Sequence, residues 1–155
     1  MNIIIIEDEK PSARRLQRML TALNLETEIM LHSVEESVTY FQNHEHPDLI
    51  FLDIQLSDGL SFEIFEAMDI KSAVIFTTAY DEYAIKTYEL EVLDYLVKPI
   101  SFPRFIKAIN RASKTLATTE LTEKSKSIKR PFTFIKVDKK KMKIKLRSLL
   151  NTMMT

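Results

Sequence analysis

Residues 47–59 read Pro47-Asp48-Leu49-Ile50-Phe51-Leu52-Asp53-Ile54-Gln55-Leu56-Ser57-Asp58-Gly59. The four consecutive apolar residues lie between Pro-Asp on one side and an acidic residue followed by turn formers on the other. Such a run is typical of a strand that is covered on both faces, as in a parallel sheet. Ligands of parallel α/β sheets bind beyond the carboxyl ends of the strands, which is where Asp53 would stand. A cap or turn residue is the other interpretation of Asp53, and the rest of the chain has to decide between the two.

Four further apolar runs have the length of a strand. They cover Asn2–Ile6, residues 27–31, Ala73–Thr78 and Asp94–Pro99. Segments with apolar residues at helical spacing lie between and after them, from Pro11, from Ser33 to Asn43, from Ser61 to Ala67, from Tyr80 to Glu91, and from Phe102 to about Leu116. This alternation predicts a doubly wound α/β fold, with a five-stranded parallel sheet, right-handed crossovers and helices on both faces.

Polar residues follow the predicted strands at the edge where their carboxyl ends meet. They are Glu7 and Asp8 after the first strand, Asp53 after the third, Thr78 after the fourth and Lys98 after the fifth. Crowded carboxylates repel one another unless a cation lies among them, and hard oxygen ligands suit Mg²⁺ or Mn²⁺. Magnesium is commonly completed by a phosphate oxygen. The pattern therefore predicts phosphoryl transfer, with Asp53 as the nucleophile and Lys98 and Thr78 as stabilising groups.

Four motifs carry a resemblance to a known family: Ile-Glu-Asp-Glu (6–9), Leu-Asp-Ile-Gln (52–55), Phe-Thr-Thr-Ala-Tyr (76–80) and Asp-Tyr-Leu-Val-Lys-Pro (94–99). With them, residues 1 to about 113 resemble the receiver domain of bacterial two-component response regulators. The resemblance implies a flavodoxin-like receiver fold. It also implies a switch that a sensor histidine kinase phosphorylates, rather than an enzyme that turns over a substrate.

The resemblance also implies a role for each residue of the acidic site. Asp53 would be the phosphoacceptor, Asp8 the main metal ligand with Glu7 beside it, and Gln55 would offer a backbone carbonyl to the metal. Two features depart from the commoner pattern of the family. Glu7 stands where many receivers have Asp, and the loop after Asp53 is two residues shorter.

On the remaining strands, the resemblance implies that Thr78 and Lys98 bind phosphoryl oxygens and that Tyr95 is the switch aromatic. It implies a cis peptide bond between Lys98 and Pro99, which the local sequence permits. Dimerisation is expected through the face formed by the predicted helix over residues 80–91, the fifth strand and the final helix. The side chains of Gln55 and Tyr80 would flank the path of an attacking water and slow the hydrolysis of the acyl phosphate.

Composition limits the classes of protein to consider. The 155 residues suffice for one ordinary domain with a short appendage, and the absence of cysteine excludes disulfides and thiolate metal sites. No apolar run approaches the roughly 20 residues that span a bilayer, and the apolar N-terminal run is too short for a signal peptide. We expect a soluble, cytoplasmic protein with no membrane partner.

Charge is segregated along the chain. Residues 1–118 hold 11 basic and 19 acidic residues, a balance of −8, whereas residues 119–155 hold 11 basic and 3 acidic ones, a balance of +8. We therefore expect a receiver domain over residues 1–116, a polar linker over 117–131, and over 132–155 the truncated start of a LytTR-type DNA-binding domain. This last unit is expected from two period-two runs that resemble the opening strands of such a domain. DNA binding is expected only of a full-length protein.

Two alternatives remain open. A phosphatase of the haloacid-dehalogenase type also places a nucleophilic aspartate after a strand near Mg²⁺. Such enzymes resemble one another in a second aspartate two residues further on, where this chain has Gln55. The other alternative is a signalling module that consists of a receiver alone and does not bind DNA.

Overall fold

The computed structural model describes residues 1–79 and 92–125. This part of the chain contains the strands β1 (Ile3–Ile6), β2 (Thr27–Leu31), β3 (Leu49–Asp53), β4 (Gln55–Leu56), β5 (Gly59–Leu60), β6 (Ala73–Thr78) and β7 (Asp94–Val97). It also contains the helices α1 (Lys10–Ala22), α2 (Val34–Asn43), α3 (Phe62–Ala67) and α4 (Phe102–Ser125).

Five strands form one parallel sheet in the order β2-β1-β3-β6-β7. The predicted fold class is therefore confirmed. Every residue of β1, β3 and β6 is buried, as their continuous apolar runs predict for strands with helices on both faces. β3 lies at the centre of the sheet, and its last residue is Asp53.

Alternate side chains of the strands fill two separate cores. Ile3, Ile5 and Phe51 pack with α1 and α4 on one face, where Phe51 stacks on Phe105 at 5.5 Å between ring centroids. Ile4, Ile6 and other strand residues pack with α2 and α3 on the opposite face. The buried polar residues Glu7, Asp53 and Thr78 lie at the carboxyl edge of the sheet.

Local sequence signals determine where two helices begin. The predicted Ser33–Glu36 pair caps α2, because Ser33 Oγ accepts a hydrogen bond from the Glu36 backbone N–H at 3.0 Å. The Glu36 carboxylate reaches back to the His32 N–H at 3.1 Å. The α1 helix begins at Lys10, with Pro11 in its first turn, where the missing N–H does no harm.

The predicted end of the last helix near Leu116 is wrong. The α4 helix continues to Ser125, so nine residues that were predicted to belong to the linker 117–131 are helical. The segment contains no glycine or proline, and the hydroxyls of Thr118 and Thr119 donate to carbonyls four residues earlier, at 2.9 and 3.0 Å. The polar composition that suggested a linker is equally that of an exposed helix.

Other predictions lie outside the described residues. These are the helix over residues 80–91, including Tyr80, and the paired runs within 132–155. The short antiparallel pair β4-β5 was predicted only as a loop. None of the helices in residues 1–79 and 92–125 combines the length and the hydropathy of a membrane span.

Candidate functional site

Asp53 lies at the carboxyl end of the central strand. Asp53 is buried, with 7% of its surface exposed. The next residue is fixed to β6, because the Ile54 N–H donates a hydrogen bond to the Thr77 carbonyl at 3.1 Å. One carboxylate oxygen, Oδ1, accepts from the Gln55 N–H at 3.3 Å. The other, Oδ2, faces Lys98. The strand thus delivers a buried carboxylate to the sheet edge.

Glu7 and Asp8 follow β1, the neighbour of β3. Glu7 is completely buried, and Asp8 is partly exposed. One carboxylate oxygen of each lies within 4.8 Å of the other and of Asp53. The structure therefore brings together the three acidic residues that the sequence predicted.

Lys98 joins this group from the end of β7, one of the two edge strands of the sheet. Its Nζ lies 2.5 Å from Glu7 Oε2 and 3.1 Å from Asp53 Oδ2. The Lys98 N–H also donates to the Thr78 carbonyl at 2.7 Å, which holds the end of β7 beside the end of β6. The peptide bond between Lys98 and Pro99 is cis, as the resemblance implied.

The electrostatics of the site follow from burial. Loss of water raises the pKa of Glu7 to about 8, from an ordinary 4.5; the hydrogen bond from Lys98 opposes this increase and the charge of Asp53 adds to it. Burial would lower the pKa of Lys98, but the hydrogen bond to Glu7 and the charge of Asp53 outweigh it, so this pKa is raised. One ammonium does not compensate three carboxylates.

The donor set fits a hard divalent cation. Carboxylate oxygens are the ligands that Mg²⁺ prefers, and a bound cation would offset both the loss of water at Glu7 and its repulsion by Asp53, which together raise the pKa of Glu7. The chain could hold such an ion with Glu7, Asp8 and Asp53. A backbone carbonyl from Gln55, whose side chain is exposed, stays a prediction.

Thr78 and Tyr95 lie on the face of the sheet that packs against α2 and α3. Thr78 is the last residue of β6 and is 1% exposed. Tyr95 pairs with Phe76, two residues before Thr78, and packs at the margin of the same core. The two side chains therefore share a sheet face on adjacent strands, and their roles stay predictions.

Two charged groups near the site were missed by sequence reasoning. Asp58 was predicted only as a turn residue, yet its carboxylate accepts hydrogen bonds from the N-terminal N–H groups of α2. Asp94 was predicted only as part of a motif, yet its two carboxylate oxygens accept hydrogen bonds from two N–H groups of Arg104. Neither contact can be predicted from a local sequence pattern, because the partners are separated by 24 and 10 residues along the chain.

Comparison with known proteins gives a consistent picture. The family model described as "Response regulator receiver domain" matches residues 3–110. The chain is similar to the "Sensory transduction protein LytT" of Bacillus anthracis, with 33% identity over 119 residues, which are 74% of this chain and 48% of that protein. The protein of the same name from Bacillus subtilis is 33% identical over 126 residues, 77% of this chain and 52% of that protein. The chain thus spans about half the length of these curated relatives.

Solved structures of response regulator domains are also similar to this chain. The response regulatory domain of protein mrkE from Klebsiella pneumoniae is similar with a TM-score of 0.66 and 28% identity, over 76% of this chain and 99% of that domain. The N-terminal domain of a response regulator/sensory box/GGDEF 3-domain protein from Carboxydothermus hydrogenoformans has a TM-score of 0.65 and 26% identity, over 76% of this chain and 98% of that one.

Proposed function

Because the chain belongs to the response regulator receiver domain family, we propose that Asp53 accepts a phosphoryl group from a sensor histidine kinase, with Mg²⁺ bound beside it. The modification then switches the conformation of the protein. The observation that carries this proposal is the meeting of Asp53, Glu7, Asp8 and Lys98 at one sheet edge, with Lys98 Nζ within 3.1 Å of two of the carboxylates.

In the proposed reaction an oxygen of Asp53 attacks the phosphorus of a phosphohistidine in line with the bond to nitrogen. The new oxygen–phosphorus bond forms as the phosphorus–nitrogen bond breaks, and the electron pair leaves with the imidazole of the donor. Mg²⁺, when bound, supplies charge neutralisation at the equatorial oxygens. Glu7 and Asp8 would hold the ion. The reaction needs no general acid at position 55, where the phosphatase alternative would have an aspartate and this chain has Gln55.

Lys98 has a specific part in this scheme. Its ammonium already spans Glu7 and Asp53, so it orients the Asp53 carboxylate before reaction. When Asp53 becomes an acyl phosphate, the same ammonium can pair with a phosphoryl oxygen and stabilise the charge that has moved there. The Thr78 hydroxyl is the second group proposed to bind a phosphoryl oxygen, from the end of the adjacent strand.

The proposed switch couples Thr78 to Tyr95. Movement of Thr78 toward the phosphoryl group opens space on the sheet face that both residues share, and Tyr95 turns into it. The surface around β7 and α4 changes as a result, and we propose that a homodimer forms there. Sedimentation of the chain with and without beryllofluoride tests this step, and identical monomer populations at micromolar concentrations would contradict it.

The output is proposed from the resemblance of residues 132–155 to the opening strands of a LytTR-type domain and from the greater length of the relatives. The chain spans about half the length of the proteins named LytT, and we propose that residues 132–155 correspond to the start of a LytTR-type DNA-binding unit that regulates transcription in a longer protein. Residues 1–116 are proposed as the receiver domain. Sequencing the reading frame beyond Thr155 tests this, because a continuation of about 80 residues resembling the remainder of that unit is required.

The central experiment is a phosphorylation assay. Incubation with acetyl phosphate and Mg²⁺ should add one phosphoryl group to the wild-type chain by intact mass, and none to Asp53→Ala. Asp48→Asn is the matched control, because Asp48 is an exposed carboxylate at the opposite end of the same strand, where it accepts from the Asn2 N–H.

Two results would contradict the proposal. One is an absence of modification in the wild type, or equal modification of Asp53→Ala. The other is sustained multiple turnover on phosphomonoesters, which would favour the phosphatase alternative. A single, slowly hydrolysed modification is the result that we expect.

A further inference from the structure

Asp58 forms a contact that the phosphorylation scheme does not use. It lies in the two-residue connection between β4 and β5, and its two carboxylate oxygens accept from the Val34 N–H at 2.9 Å and the Glu35 N–H at 3.0 Å. These N–H groups open α2 and have no partner within the helix. Asp58 therefore ties the tip of the β4-β5 hairpin to the N-terminus of α2.

The hairpin is the part of the chain that leaves Asp53. Residues 54–57 are all that separate Asp53 from Asp58, and Gln55, the first residue of β4, donates its N–H to Asp53 Oδ1. This bond is long, at 3.3 Å, so it does not fix the carboxylate strongly by itself. The position of the Gln55 backbone beside Asp53 depends on how the hairpin is held.

The α2 helix is a suitable support for the hairpin. Its buried Val34 and Phe41 anchor it in the core, and its N-terminus is joined to the end of β1, because His32 Nδ1 lies 2.9 Å from the Glu7 carbonyl. The N-terminus of α2 thus contacts the segments that carry Glu7 and Asp53. Of these two contacts, the one with the segment of Asp53 is formed by the Asp58 carboxylate, whereas the one with Glu7 is formed by His32.

We propose that Asp58 is a positioning residue for the phosphoacceptor site, which positions the Gln55 backbone by holding the hairpin tip on α2. This inference rests on the proposed function, because it assigns Asp58 to the site of Mg²⁺ and the phosphoryl group. The chemistry suits the contact, since the first-turn N–H groups and the positive end of the helix dipole both favour a carboxylate.

The test compares two variants that each remove one cap of the same helix. Asp58→Ala removes the link to the hairpin, whereas Ser33→Ala removes only the local bond to the Glu36 N–H. Asp58→Asn keeps one acceptor oxygen and serves as a conservative rescue. Mg²⁺ affinity is measured by calorimetry and the rate of modification by acetyl phosphate with intact mass, at a temperature where circular dichroism shows every variant fully folded.

We expect Asp58→Ala to bind Mg²⁺ about tenfold more weakly, the low end of the loss seen when groups that orient metal ligands are removed. Modification should slow by a similar factor. Ser33→Ala should match the wild type in both measurements, and Asp58→Asn should fall between. Faster hydrogen exchange of the Val34 N–H in Asp58→Ala, relative to the wild type, confirms that the contact is lost.

A different outcome would overturn the proposal. The buried Leu56 also anchors the hairpin, and if that anchor suffices, Asp58→Ala will bind Mg²⁺ as the wild type does. Equal losses in Asp58→Ala and Ser33→Ala would assign the effect to helix stability and would also reject the positioning role. Failure of the proposed function has a separate signature, because a wild type that takes up no phosphoryl group leaves the comparison of Mg²⁺ affinities valid.

Discussion

At the scale of single residues, the site is governed by Glu7. It is wholly buried, and it pairs with Lys98. Its carboxylate reaches the ammonium directly, so Lys98 is shared between Glu7 and Asp53. Lys98 therefore serves as an internal counter-ion for both carboxylates.

The raised pKa of Glu7 predicts a pH dependence of stability. A group with a higher pKa in the folded state stabilises the fold at low pH, and this contribution is lost as pH rises through the folded value. For Glu7 the loss should extend from about pH 4.5 to about pH 8. In the presence of a chelator, the free energy of unfolding should therefore fall more steeply over this range for the wild type than for Glu7→Gln.

Glu9→Gln is the control for this prediction. Glu9 is exposed and two residues away, and its backbone N–H, which the substitution leaves in place, donates to Glu7 at 3.1 Å. Urea unfolding at several pH values measures the slopes. Equal slopes in the wild type and Glu7→Gln would show that Glu7 is already ionised in the folded protein near neutral pH.

A second prediction at this scale concerns Gly59, the sole glycine of the chain. Its φ of +153° lies in a region that side chains rarely adopt, and a Cβ would lie 2.8 Å from Glu63 Oε2. The Glu63 side chain can move, but the backbone angle cannot relax without opening the hairpin. Gly59→Ala should therefore lower the free energy of unfolding by about 1–3 kcal/mol.

Ser57→Ala is the matched change in the same turn, because Ser57 is exposed and its φ is not positive. Its effect should stay within about 0.5 kcal/mol of the wild type. Chemical denaturation of both variants makes the comparison. A Gly59→Ala variant as stable as Ser57→Ala would mean that the turn tolerates a side chain.

At the scale of elements, β7 and α4 are joined by an ion pair. The buried Asp94 accepts from Arg104 at 3.0 and 2.5 Å, and the same guanidinium donates to the Tyr95 carbonyl at 3.0 Å. Arg111 lies further away, at 3.5 Å. Burial would raise the pKa of Asp94, but the hydrogen bonds from Arg104 and from the Tyr95 N–H outweigh it and lower this pKa.

Removing Arg104 should leave a buried carboxylate poorly paired. A fully buried pair loses about 3–5 kcal/mol when one partner is removed, and we expect about 2 kcal/mol for Arg104→Met because water reaches Arg104 and Arg111 remains nearby. Arg111→Met should cost clearly less, since its side chain is 61% exposed. Thermal and urea unfolding measure both variants, and equal losses would contradict the assignment.

The same ion pair has a pH signature of opposite sign to that of Glu7. Because the pKa of Asp94 is lowered, its contribution is present above the ordinary value of 3.8 and is lost as pH falls through the folded value. The difference in the free energy of unfolding between the wild type and Arg104→Met should therefore shrink as the pH is lowered. A constant difference down to pH 2 would show that packing of the Arg104 stem, rather than the ion pair, stabilises the contact.

At the scale of the whole molecule, the acidic body is the dominant feature. Residues 1–118 carry a balance of −8, and three of the carboxylates converge within 4.8 Å. If Mg²⁺ binds only the folded state, it should raise the free energy of unfolding by about 2.7 kcal/mol at a concentration one hundred times the dissociation constant. The unfolding temperature should rise accordingly. NaCl at matched ionic strength should have a much smaller effect.

Asp8→Asn is the variant for this prediction, because Asp8 is a proposed ligand that forms none of the ion pairs found in the described residues. It should lose most of the stabilisation by Mg²⁺, while Asp48→Asn should keep all of it. Differential scanning calorimetry with and without Mg²⁺ makes the measurement. An equal gain in Asp8→Asn and the wild type would place the cation elsewhere on the acidic body.

The sequence alone determined the sheet and the composition of the site. Five apolar runs separated by helical segments define a doubly wound fold, because strands buried on both faces leave this pattern. Once the strands are parallel, topology brings their carboxyl ends to one edge. Glu7, Asp8, Asp53, Thr78 and Lys98 could therefore be assigned to one edge before any contact was known.

Only the tertiary structure decided which of these groups touch and what supports them. The sharing of Lys98 between Glu7 and Asp53 depends on distances of 2.5 and 3.1 Å, which no spacing along the chain encodes. The contact of Asp58 with α2 likewise joins residues 24 positions apart. The physical reason is that backbone periodicity is a local property, whereas hydrogen bonds between distant side chains form only after packing has fixed the elements and the rotamers.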